Sequence, residues 1–233
     1  MRERGVVRAD TADREREAQL ALILVGSPRG LEKSASARLA RLLLGPFSPE
    51  EWTIEWCHAH AAVTRGEEHR RLIDLADRAS LILLASPLYV DSLPSPTIEA
   101  LQRLADHRGA SDRPPHVRFA ALLNCGFLEP IHNLTCLQLC ECFAREAQLE
   151  WSGGLMVGAA GMMRKRVEEA LRAAGGSLAS DLPVSAFAQE SLATPVMPRW
   201  LYIHGGNFMW RAQAKKLGVG RKELRARPYE RES

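Results

Sequence analysis

"LILVGSPRGLEKSAS", Leu22 to Ser36, decides the fold. Four apolar residues run as a buried strand does. Gly26, Pro28 and Gly30 then break the run, and Ser34 and Ser36 lead into a stretch with apolar residues at helical spacing. A strand that stops at glycine and gives way to a helix within a dozen residues is the first half of a β-α unit. The loop between them has two readings. Its serines cap the helix, or its free N–H groups, hydroxyls and Arg29 hold an anion at the positive end of the helix dipole.

Working outward, the same alternation recurs. Leu20 to Val25, Thr53 to Cys57, Leu81 to Ala85, Val117 to Leu123 and Leu155 to Val157 are short apolar runs of the kind buried on both faces of a parallel sheet. Helix-like stretches lie between them at Ser36 to Leu44, Glu67 to Arg78, Pro96 to Asp106 and Ile131 to Gln148. In the third, Ile98, Leu101 and Leu104 recur three apart as an inward stripe. Strands alternating with helices predict a doubly wound α/β sandwich. Such sheets bind ligands beyond the carboxyl ends of their strands, which singles out the loops Ser27 to Ala35, Ser86 to Ser95 and Asn124 to Pro130.

Composition sets the bounds. The 233 residues are 46% hydrophobic, enough for one domain with a full core. With 31 Lys plus Arg against 28 Asp plus Glu, the net charge of +3 is too small to mark a nucleic-acid partner. No apolar run approaches the roughly 20 residues of a membrane span, and the opening MRERGVVRADTADREREAQ has no apolar core of a secretory signal. A cytoplasmic protein is expected. Five cysteines, an odd number with three at 136, 140 and 142, fit reduced thiols. Residues 1–19 read as an arm, 20–218 as the folded domain, and 219–233 as a basic tail.

Nucleotide loops are a poor match. A phosphate-binding P-loop needs glycine directly before Lys-Ser, whereas Gly30 precedes Lys33 by three residues. The run Leu81 to Ala85 ends in Ser86, not in an Asp for magnesium. GSPRGL also lacks the G-x-G opening of a dinucleotide fold. The second loop, in ASPLYVDSLPSPTIEALQRL, offers prolines that fix its path and Tyr89, which either covers a flat ring or packs in the core.

Taken together, GSPRGLEKSAS, SPLYVDSLP and NCGFLEP, each after a predicted strand and in this order, resemble the flavodoxin-like NAD(P)H-dependent FMN reductases. The resemblance extends to WSGGLMVGAAG and PRWLYIHGGNFMWRAQAKKLG and spans about 20–218. It implies a flavodoxin-like three-layer sandwich with five parallel strands in the order 2-1-3-4-5, and one bound FMN. It implies Ser27, Arg29, Ser34, Ala35 and Ser36 around the phosphate, and Pro87, Leu88, Tyr89 and Val90 beside the isoalloxazine. Asn124, Gly126 and Phe127 would stand at its pyrimidine edge, with no side chain acting as acid or base. It implies hydride transfer from NADPH or NADH through FMN to a small acceptor such as a quinone or free flavin, by a homodimer or homotetramer. A flavodoxin-type electron carrier and a noncatalytic FMN sensor are the other readings. After SPLYVDSLP such reductases often carry a Lys and a helical Asp-Arg pair used in subunit contacts, where this chain has Thr97, Ile98, Glu99 and Gln102-Arg103.

Other constellations have plainer readings. His132, Cys136 and Cys140 fall four apart, on one helix face, as metal ligands or as a small stripe toward the sheet. His58 and His60 flank a strand end and are expected at the surface. Arg29, Arg65 and Arg199 are all candidates for a nicotinamide 2′-phosphate. Val167 to Leu178 and Pro183 to Gln189 read as helical, and the aromatic stretch Trp200 to Trp210 as core, interface or lid.

Overall fold

The molecule is described from a computed structural model, which covers residues 18–111, 115–162 and 164–226. Most of the expected N-terminal arm and the end of the C-terminal tail lie outside the described residues. Gln19, assigned to the arm from sequence, instead opens the first strand.

Five strands form one parallel sheet: β1 (Gln19–Val25), β2 (Trp52–His58), β3 (Leu81–Pro87), β4 (Arg118–Asn124) and β5 (Glu150–Val157). Their order is β2-β1-β3-β4-β5, the flavodoxin-like order expected. Every residue of β3 and β4 is buried, as strands covered on both faces require, while the edge strand β2 is mostly half-exposed.

One face carries α1 (Ala35–Leu43), α6 (Lys165–Ala179) and α7 (Ala186–Ala193). The other carries α2 (Ala59–Thr64), α3 (Gly66–Arg78), α4 (Ser95–Gly109) and α5 (Leu134–Glu146). The two faces bury separate clusters, one centred on Ile23, Leu39 and Leu171, the other on Leu24, Leu72 and Leu101. Two arginines are also buried and close element ends. Arg108 donates to the carbonyls of Ala147, Gln148 and Pro115 at 2.7, 3.1 and 2.8 Å, and Arg118 to Asp181 at 2.6 Å.

Three differences from the sequence reading have local causes. The helix α2 was not expected. It is six residues long and ends where Arg65 turns to extended backbone, φ −127°, before α3 begins. β5 starts five residues before the expected Leu155, because the backbone of Glu150 to Gly154 continues the sheet although those residues form no apolar run. Gly153 takes φ 99° near a shift of register between β4 and β5. The aromatic segment forms α8 (Arg199–Lys216), none of whose residues is buried, so its side chains are not core.

Candidate functional site

Because β1 connects outward to β2 while β3, β4 and β5 follow on its other side, the chain reverses its winding between β1 and β3. A crevice opens there at the carboxyl ends of the strands. It is lined by Ser27, Arg29, Ala35 and Ser36 from the first loop and helix, Pro87, Leu88 and Tyr89 from the second loop, and Asn124, Cys125, Gly126 and Ala160. Nine of the twelve site residues expected from sequence meet in it. Ser34, Val90 and Phe127 do not line it.

The first loop owes its shape to crowding. A side chain at Gly26 would collide with the hydroxyls of Ser86 and Thr97, so glycine stands there for close approach. Thr97 Oγ1 donates to the Gly26 carbonyl at 3.1 Å. Ser34 is the N-cap of α1, its Oγ accepting from the Ala37 amide at 3.2 Å, which settles the capping role for that serine. The first turn of α1 holds no acidic residue, and Ala35 and Ser36, the residues just after the cap, face the crevice. Beneath the loop, His58 Nε2 lies 2.5 Å from the Ser27 carbonyl oxygen. A carbonyl only accepts, so Nε2 carries the proton.

The second loop is a tight hairpin. Tyr89 and Ser92 exchange backbone hydrogen bonds at 2.8 and 3.1 Å, and the two residues between them, Val90 and Asp91, take φ 50° and 59°. Two consecutive positive φ values match the hand of a type I′ turn. Asp accepts that conformation readily, whereas a β-branched residue does so only under strain. Val90 stands at the tip, 99% exposed, and Tyr89 is half-exposed at the mouth of the crevice.

The third wall joins β4 to the loop after β5. Cys125 donates its amide to Val157, Ala160 to Cys125 and Ala159 to Phe127. Arg38, on α1, donates to the Ala160 carbonyl at 3.0 Å and braces that loop. Ser36 Oγ donates to Asn124 Oδ1 at 2.6 Å, tying the first loop to the third. Cys125 accepts from Asn133 Nδ2 at 3.3 Å, and burial pushes its thiol above the ordinary range, so it is a lining group and not a nucleophile at neutral pH. Phe127 is half-exposed and packs on His132 with ring centroids 4.5 Å apart. Tyr202 of α8 donates to the Gly126 carbonyl, and Arg199 Nε lies 3.8 Å from Glu129 Oε1.

Sequence reasoning did not name Cys125 or Ala160 as site residues, expected His58 at the surface, and placed Tyr202 only within a stretch read as core, interface or lid. The rule that sites lie at strand ends also covers the ends of β2 and β5, so His58 and the GAAG stretch after Val157 were within its reach. Tyr202 lies outside that rule, and its only signal was the lid reading of the aromatic stretch. Of the candidate cations, Arg29 lines the crevice, Arg65 borders a neighbouring hollow with His58 and His60, and Arg199 faces Glu129. Cys136 and Cys140 are buried toward the sheet while His132 sits outside, and among the described residues no three His, Cys, Asp or Glu side chains are grouped to hold a metal.

No protein-family model matches this chain, and no curated protein matches it. Solved structures do. An NADH:FMN oxidoreductase in its apo form is similar over 78% of this chain and 97% of its own, at 14% identity and TM-score 0.56. A WrbA-like flavodoxin from Agrobacterium tumefaciens is similar over 70% and 96%, at 13% identity and TM-score 0.52. An FMN-dependent NADH-azoreductase from Bacillus anthracis, solved with FMN, is similar over 71% and 99%, at 12% identity and TM-score 0.51. At these identities the likeness establishes the fold.

Proposed function

We propose that the crevice holds FMN and that the protein is an NAD(P)H-dependent oxidoreductase acting on a small acceptor. One observation carries this reading: three strand-end loops that resemble those of FMN reductases converge in a single crevice, and the crevice contains a helix N-terminus and Arg29 but no carboxylate. That combination favours an anionic end group.

The residues fit a flavin mononucleotide part by part. Arg29, with Ser27 and the first turn of α1, would hold the phosphate. Pro87, Leu88 and Tyr89 would flank the ring, with Val90 at the rim, while Asn124 and Gly126 would meet its pyrimidine edge, with Phe127 beside them. The crevice measures about 190 Å³, below the roughly 300 Å³ at which ligand pockets begin. A bound FMN would therefore lie partly outside it.

When bound, FMN accepts hydride from NADH or NADPH and passes it to an acceptor such as a quinone or free flavin. The protein's own part is positional and electrostatic. Backbone N–H groups near Gly126 and Phe127 would stabilise negative charge at the pyrimidine edge. Pro87 and the Tyr89–Ser92 hairpin would hold the ring's flank still. Burial keeps Cys125 a neutral thiol, so it adds no charge that would oppose reduction. Among the described residues no helix is long and apolar enough to cross a membrane.

Equilibrium binding of FMN and riboflavin tests the site. FMN should bind at least tenfold more tightly than riboflavin, and Arg29→Ala should erase most of that difference. Equal affinities in the parent protein would remove the phosphate from the proposed site.

A further inference from the structure

A second hollow, of about 510 Å³, opens beyond the end of β2 and lies beside the crevice. The first loop is the wall between the two. Ser27 and Arg29 face the crevice, Gly30 and Leu31 face the hollow, and the His58 ring lining the hollow is bonded to the Ser27 carbonyl. Neither packing nor backbone accounts for Gly30 on that wall: a Cβ there would meet open space, and its φ lies outside the left-handed region. A ligand that crosses the wall would account for it, since glycine lets a ligand approach the backbone closely.

The groups around the hollow suit a nucleoside phosphate. Of its two guanidinium groups, Arg71 is committed, with Nη2 on Glu55 at 2.6 Å and Nη1 on the Trp56 carbonyl at 2.9 Å. Arg65 is not. It is the exposed N-cap residue of α3, and among the described residues its side chain makes no ion pair and no hydrogen bond. A free guanidinium takes a phosphate through paired N–H groups. Trp56, His58 and His60 bring aromatic rings, the flat faces on which a purine stacks. Glu68 is the one carboxylate in the lining, and a carboxylate accepts from a sugar hydroxyl.

We propose that the hydride donor is NADPH, with its adenosine 2′-phosphate on Arg65 in this hollow and its nicotinamide over the crevice. The inference rests on the flavin reading. It also ranks the three cations singled out from the sequence: Arg29 is taken by the FMN phosphate in that reading, and Arg199 faces the Glu129 carboxylate, which repels a second anion. The span is suitable. Strands about 4.8 Å apart put β2 about 10 Å from β3 and about 14 Å from β4, whose loops would flank the ring. Roughly fifteen bonds of about 1.5 Å join the nicotinamide to the 2′-phosphate, enough to cross the wall at Gly30.

Steady-state reduction by the FMN-loaded protein gives the first test. kcat/KM should be at least tenfold higher for NADPH than for NADH. Arg65→Gln, an exposed change with far-UV circular dichroism expected to stay as in the parent, should lower kcat/KM for NADPH at least tenfold and that for NADH less than twofold. Arg65→Lys should recover part of the preference. Calorimetry gives the second test without turnover. Adenosine 2′,5′-bisphosphate should bind the FMN-loaded protein at least tenfold more tightly than adenosine 5′-phosphate, and Arg65→Gln should remove that difference while leaving the affinity for FMN unchanged.

A protein that retains FMN and is reduced equally well by NADH and NADPH overturns this inference and leaves the flavin reading standing. Equal affinities for the two adenosine phosphates, or equal losses for NADPH and NADH in Arg65→Gln, also overturn it. A protein that retains no FMN overturns the flavin reading and this inference with it.

Discussion

Ser36 Oγ donates a 2.6 Å hydrogen bond to Asn124 Oδ1, joining the helix that opens after β1 to the end of β4 across 88 residues of chain. Both residues are buried. A serine has one O–H to give, so while this bond stands the hydroxyl does not donate to an anion. The backbone of α1 and Arg29 are left to do so, and the pair fixes the spacing between the two ends of the proposed flavin site.

Ser36→Ala and Asn124→Ala should therefore act as one change. Each alone should lower stability by about 1–3 kcal/mol, through a buried polar group left unpaired or an emptied contact, and should weaken FMN binding. The double variant should be less damaged than the sum of the two, with a coupling of about 0.5–3 kcal/mol in urea unfolding. Strict additivity would show that the bond is not formed in solution.

Gly175 and Gly176 form a matched pair on α6. A Cβ at Gly175 would collide with the Leu43 carbonyl at the end of α1, whereas one at Gly176 would meet open space. Alanine in an unobstructed helix position gains about 1 kcal/mol over glycine. Gly176→Ala should raise the thermal midpoint and Gly175→Ala should lower it, because there α6 must move off α1. Similar shifts in both would contradict the packing of α1 on α6.

Val90 occupies left-handed backbone at φ 50° while almost wholly exposed. Replacing it with Asn, which tolerates that conformation, removes strain and forfeits little packing. Val90→Asn should stabilise the protein by about 1 kcal/mol, read from the shift in urea midpoint. A loss of stability would show that Val90 makes contacts that hold the hairpin.

Two thiols set an alkaline limit. Burial pushes Cys57 up to about 11 and Cys140 up to about 12, from an ordinary value of 9.0. Unfolding restores the ordinary value, so the unfolded chain loses those protons first. Their contribution is complete below about pH 9 and is lost as pH rises through 11 and 12. Urea midpoints at pH 8 and pH 10.5 should fall further in the parent than in Cys140→Ala. Equal falls would place the Cys140 thiol in contact with water.

The sequence made the sheet legible because β1, β3 and β4 each contain an uninterrupted apolar run, at Leu20–Val25, Leu81–Ala85 and Phe119–Leu123, followed by loops rich in Gly, Pro, Ser or Asn. The crevice was legible for the same reason, since a parallel sheet sends its binding loops to one edge. Non-local effects were not. Nothing in GSPRGL says that Gly26 is required by Ser86 and Thr97, sixty and seventy-one residues away, or that Ser34 caps while Ser36 reaches Asn124. β5 was shortened because only Leu155 to Val157 form an apolar run, while Glu150 to Gly154 join the strand by pairing with β4. For Trp200 to Trp210 the sequence left core, interface and lid open, and the absence of buried residues in α8 removes only the core reading.

The most direct test of the central claim is the absorbance spectrum of the protein after loading with FMN and desalting, recorded anaerobically before and after NADPH or NADH. The account predicts flavin bands that persist through desalting and bleach with at least one of the two nucleotides. Bands that persist without bleaching would make the protein a carrier or a sensor, and absence of the bands would contradict the flavin site itself.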